Sequence, residues 1–274
     1  SVMALWTPSN LSATLTAWQQ GGSTVGVRTW QDSSGNDNDL AQASSGDQPS
    51  TTTLNGLTIL DFTSSENDHM DYGDLDDMDV GTGNFYVVIV FNPDSVSANQ
   101  ALLAKHSGAD DYLFRITSSA TLQQFIGSTS SGVLTTSALL STGTNFIACG
   151  FRRLDTHFIR VDGSLVKQTG NTNSLSNART FHVAGQATAG TAANFDGKIA
   201  EIILGGGNIQ DEELEKIEGY LERRYLLGKL SSPHPYATHA PAFGLHAIHN
   251  QDLAGDLALD VLGPLVSDTL AGAV

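Results

Sequence analysis

The residues from 194 to 228, NFDGKIAEIILGGGNIQDEELEKIEGYLERRYLLG, constrain the fold more than any other stretch. The run 198–204 (KIAEIIL) is apolar and β-branched, so it reads as a strand, and the glycines at 205, 206 and 207 break it. From 211 to 227 the period changes to that of a helix, with Leu214, Ile217, Leu221 and Tyr225 on one face. Asp211, Glu212, Glu213 and Glu215 crowd its start, and Arg223, Arg224 and Lys229 its end, the order that the helix dipole favours. Gly228 suits the C-terminal stop. Almost everything ahead of this helix is β-like. A single amphipathic helix after so much strand has to bury its stripe on a finished sheet.

The strands can be placed one by one. The runs 25–30 (VGVRTW), 57–62 (LTILDF), 101–104, 112–117, 122–126, 146–151, 157–161, 164–167 and 179–184 all read as short strands. The run 85–91 (FYVVIVF) is apolar on both faces, which predicts a central strand covered on both sides. Asp162-Gly163 marks a hairpin turn. Residues 5–18 read as irregular, 32–39 (DSSGNDND) as a dense Asx turn, and 66–79 (ENDHMDYGDLDDMD) as an acidic loop. Roughly eleven to thirteen strands without interleaved helices predict an all-β antiparallel sandwich, not a parallel α/β fold.

Beyond residue 228 the composition shifts. Residues 229–274 hold four of the chain's seven prolines and four of its eight histidines. Leu253, Leu257, Leu259, Val261, Leu262 and Leu265 make the end apolar, yet the piece is too short for a core of its own. The reading is therefore a sandwich domain at 1–228 and an extended arm at 229–274 that contacts another subunit or partner.

Charge excludes some functions. With 13 basic and 29 acidic residues the net charge is −16, so neither nucleic acid nor an anionic membrane surface is an expected partner. No run of 18 apolar residues appears, so membrane insertion is not expected. The first residues lack the basic and apolar regions of a signal peptide, which leaves assembly in the cytoplasm or a leader already removed. Cys149, in the apolar run FIACGF, is the sole cysteine, so no intrachain disulfide forms and the thiol reads as buried and inert.

Two acidic regions offer hard oxygen ligands. Asp32, Asn36, Asn38 and Asp39 sit in one tight turn, and Asp68 and Asp71 open the acidic run; calcium is the ion such sets suit, although no other cofactor is required. Neither region has the glutamate at the twelfth position that completes an EF-hand. Solvated Asx turns are the competing reading of both. The prolines near His246 and His249 argue against the helix that would bring those two rings together on one face.

Four stretches, WQDSSGNDND (30–39), NGLTILDFTSSENDHM (55–70), FDGKIAEIIL (195–204) and DEELEKIEGYLERRY (211–225), together resemble the concanavalin A-like lectin/glucanase superfamily, in particular its laminin-G-like jelly rolls. The likeness runs from about residue 5 to 228. It implies two antiparallel sheets, one of them concave, with the helix near their edge. Modules of this kind occur in bacteriophage structural proteins and bacterial surface proteins, and many bind glycans at the rim; Trp30, Tyr72 and Tyr112 are the aromatic side chains that could form a platform. The superfamily's hydrolases carry carboxylates at alternate strand positions as Glu-x-Asp-x-x-Glu. Nothing here matches, since Glu201 stands alone in its strand, and no catalytic residue is expected. Trp18-Gln19-Gln20 replaces the Trp-Leu-Asp common near the start of such modules, and Gln210 replaces a capping serine. The resemblance implies a non-catalytic virion structural protein of a bacteriophage (capsid decoration, tail or fibre) that assembles with itself and other virion proteins and adheres to surface glycans. The alternative is a secreted carbohydrate-binding module or a bacterial surface-protein domain, with a glycoside hydrolase behind both.

Overall fold

The computed structural model describes residues 5–106, 111–127, 132–186, 193–239 and 241. Among these, sixteen strands run in chain order. They are Thr14–Gln19 (β1), Thr29–Trp30 (β2), Leu40–Ala41 (β3), Ser50–Leu54 (β4), Leu57–Phe62 (β5), Met70–Asp74 (β6), Phe85–Pro93 (β7), Gln100–Lys105 (β8), Asp111–Ile116 (β9), Leu122–Gly127 (β10), Val133–Thr135 (β11), Phe146–Arg153 (β12), Thr156–Val161 (β13), Ser164–Gly170 (β14), Thr180–Val183 (β15) and Gly197–Gly206 (β16). One α-helix, Asp211–Tyr225 (α1), follows. The arm residues Leu253, Leu257, Leu259, Val261, Leu262 and Leu265 lie outside the described residues.

The strands form two antiparallel eight-stranded sheets. The first runs β14-β13-β12-β7-β16-β5-β4, with β1 also on β16; the second runs β11-β10-β9-β8-β15-β6-β3-β2. Strand β16 carries β5 along its first residues and β1 along its last, so one long strand holds two short ones on the same edge. This is the antiparallel β-sandwich that the consecutive strand runs predict.

Strand β7 shows why a doubly apolar run becomes central. Phe85, Val87, Ile89 and Phe91 face the core between the sheets, while Tyr86, Val88 and Val90 face the other way, under α1. The helix lays Leu214, Ile217, Leu221 and Tyr225 on that outer surface beside Ile203 and Cys149. Gln210 does not cap α1 with its side chain, which turns to the Asn208 carbonyl at 2.8 Å. Glu213 instead accepts from the Gln210 amide at 3.3 Å and from the Ser12 amide at 2.7 Å, fastening the chain's start to the helix. After the helix, residues 229–239 turn back along it, with Leu230 and Tyr236 buried. Gly219 permits this: a Cβ there would stand 2.4 Å from that of Tyr236.

Three segments differ from the sequence reading. The irregular 5–18 contains β1, whose Ala17 and Trp18 are consecutive and face opposite sides of the sheet. The acidic 66–79 contains β6, where Met70 is buried in the core and Tyr72 packs against it. The 25–30 strand shrinks to Thr29–Trp30, while Val25 and Val27 pack on the core as coil.

His157 supplies a prediction. Its ring is buried, neither nitrogen has a hydrogen-bond partner among the described residues, and burial together with neighbouring Arg152 pushes its pKa down to about 4. The folded state then binds fewer protons than the unfolded chain between pH 6.5 and about 4. Stability should fall as pH drops through that window, by up to about 1.4 kcal/mol per pH unit from this group. Melting temperatures of the parent and of His157→Phe across pH 7 to 4 check this, with a flatter profile expected for the variant.

Candidate functional site

Helix α1 covers the outer face of the first sheet. No described helix or strand lies over the outer face of the second, so that face is the candidate site. Strand register decides what it presents. Ala41 pairs with Asp71, Asp71 with His182, His182 with Ala104, Ala104 with Leu113, Leu113 with Phe125 and Phe125 with Val133. Their strand neighbours Met70, Val183, Leu103, Tyr112 and Ile126 belong to the core between the sheets, so this row projects outward. The row starts polar at Asp71 and His182 and becomes apolar through Leu113 and Phe125. A second row, Arg115, Gln123 and Thr135, runs beside its apolar end. Arg115 Nε donates to Gln123 Oε1 at 2.7 Å, Gln123 Nε2 donates to Thr135 Oγ1 at 2.7 Å, and the guanidinium lies 4.7 Å above the Phe125 ring. Burial lowers the Arg115 pKa.

The polar end is a compact cluster. One ligand-capable atom each from His69, Asp71 and His182 lies within 4.8 Å of the other two, and the two imidazole centres are 5.9 Å apart. His69 Nδ1 lies 2.8 Å from the Asn67 carbonyl oxygen. A carbonyl only accepts, so Nδ1 carries the proton and Nε2 the lone pair. Gln42 Nε2 sits 3.1 Å from His69 Nε2 and donates to it, while Gln42 Oε1 accepts from the Ser44 amide at 2.9 Å. His182 Nδ1 is buried with no hydrogen-bond partner among the described residues. Burial lowers the His182 pKa against the opposing charge of Asp71, and His69 adds to the lowering. The loop that carries His69 is braced from behind. Asn194 donates to Asn67 Oδ1 at 2.8 Å, Asn67 donates to Asp47 Oδ1 at 3.2 Å, and Asn67 takes a left-handed conformation with φ 64°.

The residues singled out from sequence fall in other places. Asp32 accepts from the amides of Trp18 (2.8 Å), Ser34 (2.9 Å) and Asn38 (3.1 Å) and from the Ser34 hydroxyl (2.6 Å). Asn36 and Asn38 donate to the Thr16 carbonyl at 3.0 and 2.8 Å, and Asp39 accepts from the Asp32 amide at 2.7 Å. These polar atoms therefore stitch the turn to β1. Asp68 is buried, accepts from the Thr63 amide at 2.8 Å, and is not part of the cluster that holds Asp71. Burial raises its pKa, since its other oxygen has no partner. Farther along the acidic run, Asp74 and Asp79 close on the buried Lys105 ammonium at 2.9 and 2.7 Å, so a lysine is the cation they hold.

None of the three aromatic candidates reaches the open face. Trp30 is fully buried and donates to the Gln20 carbonyl at 2.9 Å. Tyr112 is fully buried between the sheets, stacked on Phe181 and edge-on to Phe85. Tyr72 is half-buried, packs on Phe181 and donates to Gln19 Oε1. Glu201 is likewise enclosed: its carboxylate accepts from Trp18 Nε1 at 2.7 Å and Tyr225 OH at 2.6 Å and pairs with Arg224 at 3.2 Å. His69 and His182 were not readable as a pair from sequence. Only the pairing of β6 with β15 joins them. The available signal was a histidine at the polar position of an otherwise apolar strand, TFHV.

No protein-family model matches the chain, and no curated protein matches it either. Solved structures do. The chain is similar to the binding domain of Paraclostridial Mosquitocidal Protein 1, with a TM-score of 0.61 and 10% identity over 75% of this chain and 52% of that one. It is similar to Domain 4 of AbnA, a GH43 extracellular arabinanase from Geobacillus stearothermophilus, in complex with arabinotriose, with a TM-score of 0.57 and 12% identity over 75% of this chain and 98% of that one. A Trypanosoma rangeli sialidase mutant with trans-sialidase activity follows, with a TM-score of 0.53 and 13% identity over 82% of this chain and 37% of that one. The chain thus spans about half of the first structure and about a third of the third. At these identities the likeness establishes the β-sandwich fold alone.

Proposed function

We propose that this chain is a non-catalytic carbohydrate-binding module of a secreted or cell-surface protein, and that it takes its glycan on the outer face of the second sheet. The observation that carries the reading is the asymmetry of the sandwich: one outer face lies under α1, and the other bears outward hydrogen-bonding side chains beside a buried apolar cluster. A sugar ring has a C–H face and a rim of hydroxyls. Arg115, Gln123 and Thr135 supply fixed donors and acceptors, and Arg115 lies over the Phe125 ring of an apolar cluster that is itself buried, with Leu113 1% and Phe125 3% exposed. The arabinanase domain matched over nearly its whole length was solved with a bound arabinotriose, which supports the sugar-binding part of the reading. Three of the proteins named above are a binding domain, a module of an extracellular enzyme and a sialidase. The bacteriophage-particle role expected from sequence draws no such support, whereas its alternative does.

Affinity electrophoresis and calorimetry against arabinan, other plant and bacterial polysaccharides and sialylated oligosaccharides test this. Binding without release of reducing sugar is expected. Arg115→Ala with Gln123→Ala should weaken it by about tenfold or more, which corresponds to about 1.4 kcal/mol, at an unchanged melting temperature. Equal binding by that double variant would move the site elsewhere, and hydrolysis would overturn the non-catalytic reading.

A further inference from the structure

We propose that His69, Asp71 and His182 bind a divalent transition-metal ion of the zinc type. Two imidazoles and one carboxylate are the donors that such an ion prefers, whereas calcium wants six or more oxygens. Ligand atoms around a tetrahedral zinc lie about 3.3 Å apart, given metal–ligand distances of about 2.0 Å. The three here already lie within 4.8 Å of one another, so small side-chain rotations close the site.

The supports are rigid. Asp71 and His182 stand opposite each other on paired strands, and the braced loop ahead of β6 delivers His69. The second shell suits a metal as well. The Nδ1–H of His69 donates to the Asn67 carbonyl, which fixes the tautomer with the ligating lone pair on Nε2. Gln42, which donates to that lone pair, keeps its contacts to the Ser44 amide and the His69 carbonyl when the ion takes its place. His182 contributes a buried ring nitrogen, Nδ1, that no group among the described residues satisfies. Three protein ligands leave a fourth position for water or an outside oxygen, the pattern of open zinc sites. The competing cluster of Asp74, Asp76 and Asp79 lacks this character: its donors are all carboxylates, and Lys105 already pairs with Asp74 and Asp79.

The inference does not depend on sugar binding, and its test reads the metal alone. The full chain, stripped with chelator, is titrated with zinc chloride by calorimetry, and cobalt is added in parallel for its visible absorption. One ion per chain, a raised melting temperature and cobalt bands of mixed nitrogen and oxygen coordination are expected. His182→Gln and Asp71→Asn should each lose about tenfold or more in zinc affinity. These side chains lie outside the core, so folding should survive, and a melting curve of each metal-free variant checks that. His246→Gln with His249→Gln should leave binding intact. Absence of zinc binding by the parent, unchanged binding by His69→Gln/His182→Gln, or loss of binding in the His246/His249 variant overturns the proposal.

Discussion

Gly205→Val is expected to destabilise the protein by about 4 kcal/mol or more, enough to leave little folded chain under ordinary conditions. Gly205 lies in β16 where that strand pairs with both β7 and β1, opposite Tyr86 and Leu15. A Cβ built there stands 1.9 Å from the Thr14 carbonyl oxygen and 2.4 Å from the Tyr86 hydroxyl. The first obstacle is backbone, so no rotamer change relieves it, and β1 must leave the sheet. Its departure uncovers Ala17 and Trp18 and breaks the indole's bond to buried Glu201. Gly206, the next residue, has open space where its Cβ would be, so Gly206→Ala should stay within about 1 kcal/mol of the parent. Urea unfolding of both variants gives the comparison. Similar midpoints for the two would mean that β1 does not depend on this close approach.

The same strand shows what was legible in the sequence. β7, β16 and α1 each announce themselves because their burial is complete along a local period: apolar on both faces, or apolar every third and fourth residue. β1 and β6 do not. Within Thr14–Gln19 the side chains serve two different cores, and Met70–Asp74 turns Met70 and Tyr72 inward between carboxylates and a glycine, so neither shows a run. Their strand character comes from partners far along the chain, β16 for one and β15 for the other. The aromatic candidates illustrate the converse. A sequence shows that Trp30 and Tyr112 are large and ring-bearing, but whether they face a ligand or the core is set by sheet register.

Charge tells a related story. The acidic run reads as unpaired carboxylates because the residue that pairs Asp74 and Asp79, Lys105, ends a strand whose middle four residues are apolar, QALLAK. A lone lysine in such a strand must find anions when the strand is buried, and that was the available signal. Asp71 escapes Lys105 because strand alternation turns it to the opposite face, toward His182. One five-residue strand therefore sends its carboxylates to two separate tasks, an internal ion pair and an outward cluster.

The second large effect concerns Glu218, and Glu218→Ala should cost about 3–5 kcal/mol. This side chain is fully buried on the inner face of α1. Its carboxylate accepts from Arg160 Nε at 2.9 Å and Nη2 at 2.8 Å, and His234 Nε2 lies 3.1 Å away. Burial pushes its pKa up, but the hydrogen bonds from His234 and Arg160 outweigh that and hold it below the ordinary value of 4.5. A depressed carboxyl contributes stability that is present above pH 4.5 and lost as pH falls through its folded value. Removing the carboxylate strands a buried guanidinium and also releases His234, which belongs to the segment that turns back along the helix. Replacing both partners, as in Arg160→Met with Glu218→Leu, removes the stranded charge and should recover most of the loss, because apolar groups of similar volume substitute well for a buried pair. Guanidinium unfolding of the three proteins at pH 7, and of the parent from pH 7 to 3, tests the clamp. A double variant no more stable than Glu218→Ala would place the cost in lost packing instead of in the unpaired charge.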